Sequence, residues 1–203
     1  MRLQQRDIEV MQKINGFGFA TIEQIKAFMQ VGNTAAYVRM KKLVDHGYLQ
    51  RQRILHGDAR IHSLTEKGRM ACSDVLPPCG EIRLGTFKHD LALVDLAIRL
   101  EQQNGGYFIP PRRIRHNEGL SGVGQIGHIP DGYLHVDEDK PIAIELELSI
   151  KSHIRLRSII EGYGGDLSVK EVWYFTSQAD VARAIEKVAK GYSFIKLFMQ
   201  EPC

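Results

Sequence analysis

The chain has 203 residues, 43% of them hydrophobic and 25% charged, with a net charge of +3. That length suits one large domain or two small ones with a proper core, and no apolar run is long enough to cross a bilayer. A basic-then-apolar leader is absent, so a cytoplasmic protein with no membrane partner is expected. Cys72, Cys79 and Cys203 are odd in number and scattered. They argue against a disulfide framework and lack metal-ligand spacing.

Charge is uneven along the chain. Residues 1–70 hold 12 Lys/Arg against 6 Asp/Glu, and the remainder holds 15 against 18. A basic small domain joined to an acidic larger one points to a polyanion-binding module carrying a second function.

Residues 7–15 place Ile8, Met11 and Ile14 at helical spacing. Gly16-Phe17-Gly18 breaks that helix. Thr21 to Gln24 then reads as a capping box opening a second helix with Ile22, Ile25 and Phe28 inward. Val31-Gly32-Asn33-Thr34 is a turn, followed by a third helix over 34–46. Val38, Leu43 and Val44 are expected to face the core there, leaving Tyr37, Arg39, Lys41 and Lys42 for solvent or a ligand. Two strands, 49–55 and 59–64, flank a His56-Gly57-Asp58 turn and carry Arg51, Arg53 and Arg60. Three helices followed by a basic hairpin is the layout of a winged helix-turn-helix, with the third helix in the major groove and the hairpin as wing. The run YVRMKKLVDHGYLQRQRILHGDARIHSLTEKG also resembles winged-helix modules. Arg39, Lys41, Lys42, Arg51 and Arg53 are then expected to meet phosphates, which position a protein on DNA without reading sequence.

Pro77-Pro78 cannot continue a helix. A winged-helix domain over 1–75, a linker over 76–84 and a second domain over 85–203 are therefore expected. The second opens with an amphipathic helix over 87–102, with Leu91, Val94, Ile98 and Leu100 inward and His89 and Asp90 in its first turn. Those two are either cap residues or neighbours of a metal site. Residues 107–115, holding Pro110-Pro111, read as a short edge strand. Arg112, Arg113, Arg115 and His116 form a basic cluster able to meet a DNA backbone. The glycine-rich 119–127 stretch lacks the lysine, the spacing and the helix start of a phosphate-cradling loop, and is expected to be a loop at the mouth of a site.

The chemistry concentrates in HIPDGYLHVDEDKPIAIELELSIKS, residues 128–152. It reads as strands over 132–136 and 142–148 joined by an acidic turn. Alternation puts Ile144, Leu146 and Leu148 on one side and Glu145 and Glu147 on the other. Asp131 begins the first strand, so the hairpin brings three carboxylates to one patch. Such a patch repels itself unless a cation sits among the acids, or unless they point to solvent. Lys151 follows, just ahead of a helix from about 152 that carries His153, Arg155 and Arg157. A buried strand over 171–176 (EVWYFT), a helix from 178 and a strand over 192–199 complete the chain.

Pro130-Asp131, then Glu145-x-Glu147 on an apolar strand, with a helix before and another after, resembles the PD-(D/E)xK nuclease superfamily. The fold class expected is thus α/β (α+β): a winged helix-turn-helix followed by a restriction-endonuclease-like domain, a mixed sheet flanked by helices. The third motif position, usually lysine, is Glu147 here, and Lys151 stands near it as a substitute. With the winged helix added, PDG…IELELSIKS is similar to the replication-relaxation family and the related MobC-class plasmid-mobilisation relaxases. The resemblance implies binding and nicking of plasmid or mobile-element DNA at an origin of transfer or replication. No H-x-H cluster of the histidine-triad relaxases is present. The implied catalytic set is Asp131, Glu145, Glu147, Lys151 and His89. Mg²⁺ or Mn²⁺ would be held by Asp131 and Glu145, with Glu147 orienting water or helping to hold a second ion. Double-stranded DNA is the implied partner, met by Tyr37, Arg39, Lys41, Lys42, Arg51, Arg53, Arg60, Arg112, Arg113 and Arg155. Other relaxosome or replication proteins, and a second copy of the chain, are further implied partners. The alternative is a DNA-binding regulator or accessory factor whose nuclease-like domain no longer cuts.

Overall fold

Local signals in the sequence translate directly into elements in a computed structural model, which describes residues 1–119, 128–137 and 139–200. The chain divides into two compact units, Met1–Arg99 and Leu100–Cys203. The division falls inside a long helix, later in the chain than the 76–84 stretch expected to link the domains. No helix of the described residues is long and apolar enough to cross a membrane.

The first unit begins with α1 (Gln5–Phe17), β1 (Ala20–Thr21), α2 (Ile22–Met29) and α3 (Asn33–Asp45). The capping box at α2 forms as expected: Gln24 N–H donates to Thr21 Oγ1 at 3.3 Å, and Thr21 N–H donates to Gln24 Oε1 at 2.9 Å. Strands β2 (Leu49–Gln52) and β3 (Ile61–Leu64) pair antiparallel, and β1 adds to the far side of β3, giving the order β1-β3-β2. The hairpin strands are shorter than the sequence suggests, so its loop covers 53–60 rather than three residues. A short helix, α4 (Glu66–Ala71), follows. Met11, Ile14, Ile25, Met40, Leu43, Leu49 and Leu64 form the core of this unit.

On α3 the buried positions are Ala36, Met40 and Leu43. Val38, expected inward, is half exposed. The stripe at i, i+4 and i+7 leads through Met40 instead, and Val38 falls about 200° from it around the helix.

Helix α5 (Phe87–Asn104) crosses the division between the units. Its first turn belongs to the first unit, where Phe87 packs on Phe19 and Ile61, and Gln24 Nε2 donates to the Leu91 carbonyl.

The second unit holds a five-stranded sheet in the order β4-β5-β6-β7-β8: β4 (Tyr107–Ile109), β5 (Gly132–His135), β6 (Ile142–Leu146), β7 (Glu171–Thr176) and β8 (Ile195–Met199). Strands β4, β5 and β6 are antiparallel neighbours, and β6, β7 and β8 are parallel. The two parallel steps require crossovers, supplied by α7 (His153–Gly164) and α8 (Ala179–Ala189). Leu156, Ile159 and Ile160 of α7 and Val181, Ile185 and Val188 of α8 pack with Ala143, Val172 and Tyr174 of the sheet.

The stretch expected as a strand over 107–115 is strand only to Ile109. Pro111 stands at the start of α6 (Pro111–Asn117), where its missing N–H costs nothing and its fixed φ suits the first turn. The glycine-rich stretch, Gly119 apart, lies outside the described residues, as does Glu138 of the acidic turn. Gly132 is demanded by packing: a Cβ there would sit 2.0 Å from the Phe108 ring. That contact locks β5 against β4 directly after Asp131.

Candidate functional site

Alternation along β6 puts Ala143, Glu145 and Glu147 on the face that α7 and α8 cover. Ala143 is part of the core there, so the two glutamates continue a buried face toward the carboxyl end of the strand. Both are buried, Glu145 at 1% exposure and Glu147 at 4%. The solvent-facing alternative for this acidic pair is thereby excluded.

Each acid is individually held. Asp131 Oδ2 accepts the Leu146 N–H at 2.8 Å, which binds the start of β5 to the end of β6. Glu145 Oε1 accepts from the Tyr163 hydroxyl and from His128 Nε2, the latter at 2.5 Å. Glu147 Oε1 accepts from Lys151 Nζ, while its backbone N–H donates to the Phe175 carbonyl at 2.8 Å. Lys151 therefore reaches Glu147 from beyond the strand, and the two are one pair rather than two competitors.

The acids also act on one another. Burial pushes the Glu147 carboxyl above its ordinary value, Lys151 opposes that rise, and Glu145 and Asp131 add to it. Tyr174 lies beside Glu145 in the parallel register of β6 and β7. Its hydroxyl is raised first by burial and then by Glu145, Glu147 and Asp131. Tyr163 is raised by burial and by Glu145. Burial, Glu118, Asp166 and Glu145 push Tyr133 up to about 12.

The Tyr174 hydroxyl is buried with no hydrogen-bond partner among the described residues. Hard oxygen donors, namely carboxylates and a hydroxyl with an unused lone pair, are the chemistry a divalent cation such as Mg²⁺ or Mn²⁺ takes. In donor type the set fits such an ion. In position, no three His, Cys, Asp or Glu side chains converge as a metal-holding group among the described residues.

His89 lies in the first unit, near the start of α5, with Nδ1 3.5 Å from Asp90. Asp131, Glu145, Glu147 and Lys151 are all in the second unit.

The DNA candidates divide into several groups. Lys42, Arg51, Arg53 and Arg60 are exposed, and Tyr37 is half exposed. Lys41 is exposed and pairs with Asp45 at 2.6 Å. Arg39 is turned inward: its guanidinium binds the buried Asp7 through Nε at 2.6 Å and through Nη2. Burial alone would raise Asp7, but Arg39 and the Gln4 N–H outweigh it and hold the carboxyl below its ordinary value. Arg112 and Arg113 are partly buried on α6, and Arg155 is exposed on α7.

His128, Tyr163 and Tyr174 were not among the residues expected from the sequence. Tyr163 had a readable signal, because it continues the Leu156, Ile159, Ile160 stripe of α7 at helical spacing. His128 had none, since its partner is 17 residues away.

Neither a protein-family model nor a curated protein matches the chain.

Proposed function

We propose that this chain binds duplex DNA through a winged helix-turn-helix in its first unit and nicks it with a second unit of PD-(D/E)xK type, acting on plasmid or mobile-element DNA. The observation that carries the reading is the burial of Glu145 and Glu147 on one strand face, with Asp131 close enough to raise Glu147 further. Folding gains nothing from gathering three carboxylates in a low-dielectric site. A site that handles phosphate through a divalent cation requires such a gathering. The helix order, the sheet order β1-β3-β2 and the basic hairpin support the winged-helix part.

Asp131 and Glu145 would hold Mg²⁺ or Mn²⁺, which when bound supplies charge neutralisation at the phosphate and an acidified water. Glu147 orients the attacking water. Lys151 lies within reach of the same carboxylate and stabilises the charge that develops on the phosphoryl oxygens. Tyr163 and His128 hold the Glu145 carboxylate in a single orientation.

The test is conversion of supercoiled plasmid carrying candidate origins to open circles with Mg²⁺ or Mn²⁺. Asp131→Ala and Glu145→Ala are expected to abolish conversion and leave DNA binding intact. A wild-type protein that never nicks across metals and origins overturns the enzymatic part.

One pair of observations favours a second reading, a DNA-binding regulator or accessory factor without cleavage. Glu147 is closed by Lys151, and no three metal-ligating side chains converge among the described residues. Calorimetry showing no divalent binding to a DNA-binding protein selects that reading.

A further inference from the structure

The two edges of the five-stranded sheet are built differently. Strand β4 is three residues long and runs into Pro110-Pro111, which blunts that edge. Strand β8 has five residues, Ile195-Lys196-Leu197-Phe198-Met199, without proline or glycine, and among the described residues it pairs on one side only, with β7. Phe198 is 37% exposed and Met199 57%.

The bonds β8 makes to β7 show which of its backbone groups face outward. The Val172 N–H donates to the Phe194 carbonyl at 2.9 Å, and the Gln200 N–H donates to the Thr176 carbonyl at 2.8 Å. Successive residues of a strand turn their backbone groups to opposite edges, so Lys196 and Phe198 bond toward β7 while Ile195, Leu197 and Met199 face away. The Ile195 N–H is taken by the Tyr192 carbonyl at 3.1 Å. The Ile195 carbonyl and the N–H and carbonyl groups of Leu197 and Met199 are left to the open edge. Such a row is a template for another strand unless a charge guards it. Lys196, the one charged residue of β8, is no guard: its Nζ pairs with Glu171 at 2.7 Å and lies 6.0 Å over the Trp173 ring. The edge therefore carries no uncompensated charge and does not repel a copy of itself.

A second β8, antiparallel about a two-fold axis at Leu197, matches this edge position by position. Leu197 would exchange both backbone bonds with Leu197 of the second copy, and the Met199 N–H would reach the Ile195 carbonyl of that copy. On one face Ile195 then meets Met199 and Leu197 meets itself, all apolar. On the other, Lys196 stands opposite Phe198, a cation beside an aromatic ring. No pair in that register sets like charges or a charge and an aliphatic side chain together.

We propose that β8 is a self-association edge, pairing antiparallel with β8 of a second copy about Leu197 and joining the two sheets into one. The inference does not rest on DNA cleavage.

Sedimentation equilibrium on the full chain tests it, with a dimer expected for the wild type. Leu197→Lys and Leu197→Glu each put two like charges face to face on the axis, and each should weaken the dimer about a hundredfold. Mixing the two variants should restore a heterodimer, which also shows that both are folded. Neither substitution touches a backbone bond to β7. In the wild type, exchange of the Leu197 and Met199 amide hydrogens should slow as protein concentration rises, a readout that stands even if the variants do not fold. A chain that stays monomeric leaves the edge to a strand of another protein and overturns the proposal. So does a dimer that both variants leave intact, a mixture of folded variants that stays monomeric, or amide exchange independent of concentration.

Discussion

Lys151 Nζ donates to Glu147 Oε1 across the end of β6, and both side chains are largely buried. A buried ion pair adds little net stability, but removing one partner leaves an uncompensated charge. Lys151→Met is therefore expected to destabilise the protein by about 3 kcal/mol. Glu147 already stands above its ordinary value, chiefly through burial. A carboxyl raised in the fold costs stability as pH climbs from its unfolded value through its folded one. The deficit of Lys151→Met should thus be small near pH 4 and full near pH 7, in the range where carboxylates titrate. Urea unfolding at the two pH values checks this. The double variant Glu147→Gln/Lys151→Met should recover most of the loss, and a double variant as unstable as Lys151→Met alone would sink the explanation.

Arg39 should behave as a residue of the fold. It neutralises Asp7, which is 1% exposed, from 32 residues away. Arg39→Met is expected to cost about 3 kcal/mol by stranding that carboxylate. Asp7 is lowered in the fold. Its pairing therefore contributes stability above the unfolded pKa and loses it as pH falls through the folded one. The gap between wild type and Arg39→Met should be constant near neutrality and close only in acid. A gap that is unchanged on acidification counts against the pairing as its cause.

What could be read in the sequence was local or periodic. The Thr21–Gln24 box, the alternation of Glu145 and Glu147 with apolar neighbours, and the β7 strand are each contained within a few residues. The parts that escaped depend on distant partners. Arg39 looked like a solvent-facing helix residue because Asp7 is on another helix. Val38 looked inward because one more apolar residue fits a stripe by eye, and only the packing of Met40 decides between them. Pro110-Pro111 read as extended chain, although a proline is equally at home as the first residue of a helix. The order of elements suggested that acids would meet, but that Tyr163 and His128 would clasp Glu145 required the crossover by α7.

Divalent cations should stabilise the second unit if Asp131 and Glu145 hold one. Binding to the folded state alone adds about 2.7 kcal/mol at a ligand concentration roughly 100 times the Kd. Mn²⁺ is expected to raise the urea midpoint of the wild type and not that of Asp131→Asn. The substitution itself should cost about 1 kcal/mol, because Asp131 anchors the Leu146 N–H. A wild-type midpoint insensitive to Mn²⁺ and Mg²⁺ would remove the metal from the proposed mechanism.

DNA contact by the hairpin and by α3 makes a claim about salt rather than about affinity alone. Lys42, Arg51, Arg53 and Arg60 are exposed on these two elements and the loop between the strands. Each phosphate contact releases about one counterion, so each single alanine variant should reduce the slope of log K against log salt by about 1, equally for unrelated duplexes. Arg39→Ala should leave that slope unchanged, since its guanidinium is spent on Asp7. Fluorescence anisotropy over a salt series measures the slope. If the four exposed variants leave it at the wild-type value, the duplex lies elsewhere on the protein or is not its partner.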